Sequence, residues 1–290
     1  MCIRDSGYAA RKFGFEQATN DYKQILEDDE INTVFITTRH DLHAKMVIEC
    51  LEAGKNVHVE KPLCLNQKEL KKVKQAYEEA QDQQLLVGFN RRFSPHAEKI
   101  RSLISSRNKA VCMSWLINAG YVPPDIWVQK KEVGGGRIIG EGCHWLDFMS
   151  YVIDSQIVSI SAMMMGESVG VDIRDDKMSI TAGFADGSIG TLHYFANGNK
   201  SYPKETFELF SENKILHLDN FRKLKGYGWN NFKKMNLWNQ DKGHNNEFRY
   251  FVERIANGGD PLIRFDEIEN ITLASFAAVE SANKNNIINI

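Results

Sequence analysis

Asn56-Val57-His58-Val59-Glu60-Lys61-Pro62 is the stretch whose reading decides the fold. Val57 and Val59 alternate with polar neighbours at the period of a short β-strand. Pro62 has no amide hydrogen and cannot continue a central ladder, so the strand stops there. Lys61 is therefore expected at the carboxyl end of a strand, where open α/β sheets bind their ligands. A lysine held there can contact a cofactor or move a proton. An exposed lysine beside a loop proline has the same local sequence, so the flanking segments must decide.

Upstream, Ile31 to Thr37 is rich in β-branched residues and reads as a buried strand. His43 to Ala53 carries Met46, Val47, Cys50 and Leu51 at helical spacing, with Gly54 as its stop. Downstream, Asn66 is a fair N-cap for a charged helix running to about Gln81, and Leu85 to Phe89 reads as a further strand. Strand, helix, strand, helix, strand is the alternation of a parallel sheet. A nucleotide-binding half normally opens with a strand and a G-x-G-x-x-G turn. The chain contains no such turn, and Gly134-Gly135-Gly136 fits neither its pattern nor its place. Gly7 to Phe15 reads as the middle of a helix ending at Gly14. The expectation is an N-terminal truncation that removes the first unit, with Met1 to Ser6 a junction. After Phe93 the character changes. Segments at 110–115, 157–164, 178–184, 188–194, 205–210 and 214–218 alternate or are β-rich, and Asp186-Gly187 is a hairpin turn. The predicted fold class is an incomplete α/β Rossmann-like domain over residues 1–92. An α+β domain over 93–290 follows, with a large, mainly antiparallel open sheet. Helical patterns are expected at 134–153, 245–256 and 266–282.

The composition, 42% hydrophobic and 26% charged, suits a soluble globular protein. A formal net charge of −2 and the lack of basic runs argue against nucleic-acid binding. No apolar run approaches ~20 residues, so no membrane span is expected. The five cysteines are scattered, which points to free thiols, a reducing cytoplasm and no structural zinc.

Gly134-Gly135-Gly136 leads into Arg137-Ile138-Ile139-Gly140-Glu141-Gly142-Cys143-His144-Trp145-Leu146-Asp147. The glycines allow close backbone approach. Glu141, His144 and Asp147 recur every three residues, near one helical face. Such a face can position an imidazole for proton transfer near neutral pH, or be merely solvated. A metal site is not expected, because no H-E-x-x-H occurs. Thr37-Thr38-Arg39-His40-Asp41-Leu42-His43 follows a strand and so favours cofactor contact, although Thr38 or Asp41 serves equally as a helix cap. Asn90 and Arg91 close the last parallel strand within reach of a ligand or at an ordinary domain junction. Tyr121, Pro123, Pro124 and Trp127 form an aromatic loop suited to wall a sugar pocket or to pack on the surface. His58, His96, His193 and His217 have no acidic partner in pattern and read as structural.

Taken in order, Thr37 to His43, Glu60-Lys61-Pro62 and Gly134 to Asp147 resemble the glucose–fructose oxidoreductase / inositol dehydrogenase / MocA family of NAD(P)-dependent oxidoreductases. The segments 137–144, 88–95 and 241–244 are most similar to the branch fused behind a zinc-type alcohol dehydrogenase module. The resemblance implies NAD or NADP as cofactor, a sugar or polyol substrate and assembly as a homo-oligomer through the open sheet. It implies catalytic roles for Lys61 and His144. Cofactor contacts are implied from Thr37, Thr38, His40, His43, Glu60, Lys61 and Asn90, and substrate contacts from Arg91, Trp127, Glu141 and Asp147. His40 stands where Asn is more usual, and Gly140 where many members carry Asp, one turn before the histidine. Glu141 lies roughly 100° further around the helix. An NAD-dependent glycosidase of the same family, or a non-catalytic assembly protein, is the alternative.

Overall fold

The computed structural model describes residues 3–80, 82–170 and 173–290. Of the expected junction Met1 to Ser6, Met1 and Cys2 lie outside the described residues, as does the expected helix end at Gln81, whereas residues 3–6 belong to the first helix. The chain opens with the helix Ile3–Phe13, which stops before Gly14 at φ +73°. Strands β1 (Thr33–Ile36), β2 (Asn56–Val59) and β3 (Leu85–Val87) form a parallel sheet in that order. Val34, Val57 and Leu85 stand in register across it. Helices His43–Glu52 and Gln67–Glu79 make the crossovers that a parallel sheet requires. Gly54, at φ +71°, ends the first crossover helix. The second is opened by reciprocal caps: Asn66 Oδ1 accepts from the Glu69 amide at 3.0 Å, and Glu69 Oε2 from the Leu65 amide at 2.9 Å.

Both faces of β2 are covered. Val57 and Val59 are buried on one side, and His58 is equally buried against Phe35, Phe248 and Phe251 on the other. The polar member of the expected alternation is thus an interior residue, as a doubly covered parallel sheet demands.

The second sheet contains β4 (Cys112–Asn118), β5 (Ile157–Met164), β6 (Lys177–Phe184), β7 (Ile189–Phe195), β8 (Glu205–Ser211), β9 (Lys214–Asp219), β10 (Lys223–Tyr227), β11 (Lys234–Asn236) and β12 (Ile288–Asn289). Its order is β11-β10-β9-β8-β4-β7-β6-β5-β12. Every pair is antiparallel except β4 with β7. Gly187 turns the β6–β7 hairpin at φ +84°. The short strands β10 to β12 carry little alternation and were not expected. Across one face lies a helix from Cys143 to Ile153, buried at every position but Tyr151. Its Phe148 packs with Trp115, Phe207 and Phe221, ring centroids 4.8 to 5.9 Å apart. Each such ring contributes roughly 2–3 kcal/mol by burial. Helices Pro95–Ile104 and Phe265–Lys284 flank it.

Candidate active site

At the carboxyl end of β2 the chain passes through Glu60 and Lys61 into a cis Lys61–Pro62 peptide. There Lys61 enters a cavity of about 220 Å3 together with His40, Trp127, Val128, Gly136, Arg137, Gly140, Glu141 and His144. Lys61 Nζ donates to the Gly140 carbonyl at 2.8 Å. Gly140 belongs to a π-helical turn, Ile138–Gly142, that runs directly into the helix Cys143–Ile153. Glu141 and Asp147 are six residues apart, which is about 120° around a regular helix, so they do not share a face.

His144 is buried, and its Nδ1 has no partner among the described residues. Burial holds its pKa well below the usual imidazole value, and the positive charges of Arg91 and Lys61 push the same way. It is a neutral imidazole at physiological pH. His40 is also neutral, its pKa lowered to about 4 by burial. Its Nδ1 lies 2.8 Å from the Gly134 carbonyl, which can only accept. Nδ1 therefore carries the proton and Nε2 is an acceptor. The ring stands edge-on to Trp127, centroids 4.8 Å apart. A Cβ on Gly140 would meet His40 Cε1 at 2.9 Å and the Gly134 carbonyl at 3.1 Å. The imidazole thus occupies the space that a side chain at position 140 would need.

Glu141 is fixed from three directions. Arg137 Nη2 and the Tyr194 hydroxyl, at 2.6 Å, donate to Oε2, and Lys204 Nζ donates to Oε1 at 2.9 Å. Burial raises its pKa, but the two cations and the hydroxyl outweigh that and bring it down to about 2. The Arg137–Glu141 spacing of four was a helical signal open to the sequence. Tyr194 and Lys204 come from distant positions and left none.

Four expected ligand contacts are placed otherwise. Asp147 lies behind the cavity, fully buried, where Arg92 Nε donates to its two oxygens at 3.2 and 3.1 Å. Burial pushes its pKa up to about 6 against the pull of Arg92. Arg91 is buried in a two-pronged contact with Glu205 at 2.8 and 3.0 Å and over the Trp145 ring. Asn90 Nδ2 donates to the Lys242 carbonyl at 2.7 Å. His43 has both ring nitrogens against carbonyls, of Pro62 at 2.7 Å and Thr38 at 3.2 Å. It links the loop after β1 to the turn after β2 and has no nitrogen to spare. Thr37 and Thr38 are exposed past the end of β1. The Glu60 carboxylate lies 3.3 Å from where a Gly88 Cβ would stand. Two of the histidines read as lacking acidic partners have them from across the chain: His58 Nε2 is 3.6 Å from Glu247, and His217 Nδ1 is 3.2 Å from Glu208.

Residues 4–89 match the model of an oxidoreductase family with an NAD-binding Rossmann fold, and residues 109–217 match the GFO/IDH/MocA C-terminal domain. A levoglucosan dehydrogenase from Pseudarthrobacter phenanthrenivorans is 26% identical over 235 residues, which is 69% of this chain and 58% of that protein. A myo-inositol 2-dehydrogenase from Thermotoga maritima is 22% identical over 282 residues, covering 93% of this chain and 83% of that one. The solved structure of levoglucosan dehydrogenase in complex with NADH and levoglucosan superposes with a TM-score of 0.85 at 23% identity, covering all of this chain and 88% of its own. These figures establish the two-part fold.

Proposed function

The chain belongs to the GFO/IDH/MocA family of oxidoreductases, and from this membership we propose that it transfers a hydride between nicotinamide and a hydroxyl-bearing carbon of a sugar or polyol. The observation that carries the proposal is the placement of Lys61. Its Nζ has one acceptor, the Gly140 carbonyl, and lines the same cavity as the unpartnered imidazole of His144. An ammonium with N–H groups to spare and a neutral imidazole are the two groups needed to hold and move a hydroxyl proton. Relatives whose names describe dehydrogenases of a sugar derivative and of an inositol support the substrate class.

The cavity adjoins the carboxyl ends of β1 and β2, through His40 and Lys61, and such sheets hold dinucleotides at that edge. Exposed Thr37 and Thr38 and the carboxylate of Glu60 would hold the nicotinamide end. The bound dinucleotide supplies the hydride acceptor or donor. In reduction the Lys61 ammonium gives a proton from Nζ to the oxygen of the carbonyl being reduced and is left as the amine; oxidation is the reverse and starts from the neutral amine, which takes the hydroxyl proton. His144 orients the same hydroxyl from its own side of the cavity. Lys61→Ala is expected to lower kcat at least ~100-fold while NADH binding, read by fluorescence titration, stays within about threefold. Unchanged turnover would remove Lys61 from the chemistry.

We further propose a homo-oligomer formed through the nine-stranded sheet, whose strands expose Val158, Met163, Ile189 and Phe210. Sedimentation velocity tests it, and a monomer at all concentrations overturns it.

A further inference from the structure

We infer that the substrate carries a carboxylate, a sugar acid rather than a neutral polyol, and that Arg137 is the residue that selects it. This rests on the reading of the cavity as the substrate site.

A neutral sugar presents hydroxyls that both donate and accept, so a site selecting one must offer unspent acceptors. Among the described residues the only carboxylate lining the cavity is Glu141, already engaged by Arg137, Tyr194 and Lys204. What is unspent on the wall is mostly donors. Arg137 gives Nε to the Tyr194 hydroxyl at 2.7 Å and Nη2 to Glu141, leaving Nη1 without an acceptor among the described residues. Lys61 has given one N–H, to Gly140. The neutral ring of His144 carries one further donor and one acceptor, and His40 Nε2 is a second acceptor, its role fixed by the geometry.

Charge points the same way. Arg137 and Lys204 pair with Glu141, and Lys61 lines the same cavity. Of the other carboxylates nearby, Glu60 faces Gly88 on the side of the parallel sheet. Asp175 approaches only Gly136, 3.8 Å from where its Cβ would be. Three cations against Glu141 and Asp175 leave a positive excess. A guanidinium edge held in place by Tyr194 and Glu141 is suited to a carboxylate oxygen. The volume of about 220 Å3 is below the roughly 300–1,000 Å3 of drug-sized ligand sites, which suits one sugar ring.

The test is calorimetric titration of the full chain with D-glucuronate, D-glucose and D-glucose 6-phosphate, with NADH present so that turnover does not intervene. Glucuronate is expected to bind at least tenfold tighter than glucose, with the margin shrinking at 0.5 M salt. Arg137→Gln, verified as folded by circular dichroism, is expected to abolish the margin, and Arg137→Lys to keep part of it. Equal affinities, no binding of either sugar, tighter binding of the phosphate, or a margin unchanged in Arg137→Gln would each overturn the inference. The wild-type comparison stands even where a variant fails to fold. Arg137-dependent glucuronate binding without NAD-dependent turnover would leave the inference and remove the proposed activity. Turnover of neutral polyols without uronate preference would do the reverse.

Discussion

The two ends of one helix treat the same chemistry differently. In the π turn Ile138–Gly142, Glu141 faces the cavity, held ionised by Arg137, Tyr194 and Lys204. In the following segment, Cys143–Ile153, Asp147 is sealed behind the cavity against Arg92. Glu141 retains 18% side-chain exposure and Asp147 none. Glu141 shares the cavity wall with Lys61 and His144. Asp147 ties that helix to the segment after β3 and, through Arg92 and Glu267, to the helix Phe265–Lys284. The difference teaches that an acid near His144 in sequence is not thereby on the cavity wall.

The hardest way to break this contrast is at the buried end. Arg92→Met leaves Asp147 without its cation in a fully buried position, which costs roughly 3–5 kcal/mol. Chemical denaturation is expected to show that loss, and the double variant Arg92→Met/Asp147→Leu to recover much of it. Glu267 is 23% exposed and can turn to solvent in the double variant. A loss below about 1 kcal/mol in the single variant would mean the pair is not the tie described.

At the cavity end the smaller test is Gly140→Ala. The added Cβ would stand 2.9 Å from His40 Cε1, and His40 is anchored to the Gly134 carbonyl. Overpacking of this kind costs about 1–3 kcal/mol. Displacing the Gly140 carbonyl also moves the acceptor of Lys61, so kcat is expected to fall about tenfold. His40→Ala in the Gly140→Ala background removes the clashing ring and is expected to restore at least half of the lost stability. No recovery would show that the two positions are not coupled.

The parallel sheet was readable because its signals are local. Asn66 and Gly54 mark helix ends by their own chemistry, and Pro62 stops β2 by lacking an N–H. Lys61 was located the same way, from its place after a strand. What escaped was set by distant partners. Asp147, Arg91 and Asn90 were drawn toward the ligand by proximity in sequence, yet each is claimed by a group at least 55 positions away. Tyr194 and Lys204 reach Glu141 from 53 and 63 positions away. The π turn that carries Glu141 contains glycines at 140 and 142 and no pattern that sets it apart from an ordinary helical turn.

The finest test removes one atom from the cavity network. Tyr194 donates to Glu141 at 2.6 Å and accepts from Arg137 Nε at 2.7 Å. Tyr194→Phe leaves the ring in place and is expected to cost about 1 kcal/mol at neutral pH. Its effect on acid stability has a definite sign. Glu141 has a folded pKa of about 2 against an ordinary 4.5, so its contribution is present above 4.5 and is lost as pH falls toward 2. Without the tyrosine hydroxyl the folded pKa rises toward the ordinary value, and the contribution shrinks within that same window. Melting temperatures measured from pH 2 to 7 should therefore show the variant with a smaller difference between neutral and acid stability than wild type. The same variant of the buried end has no counterpart, because Asp147 is pushed up to about 6 rather than down and its titration runs in the opposite direction. An acid limb unchanged by Tyr194→Phe would mean that Lys204 and Arg137 alone hold the Glu141 carboxylate, and that the hydroxyl serves only to aim Arg137.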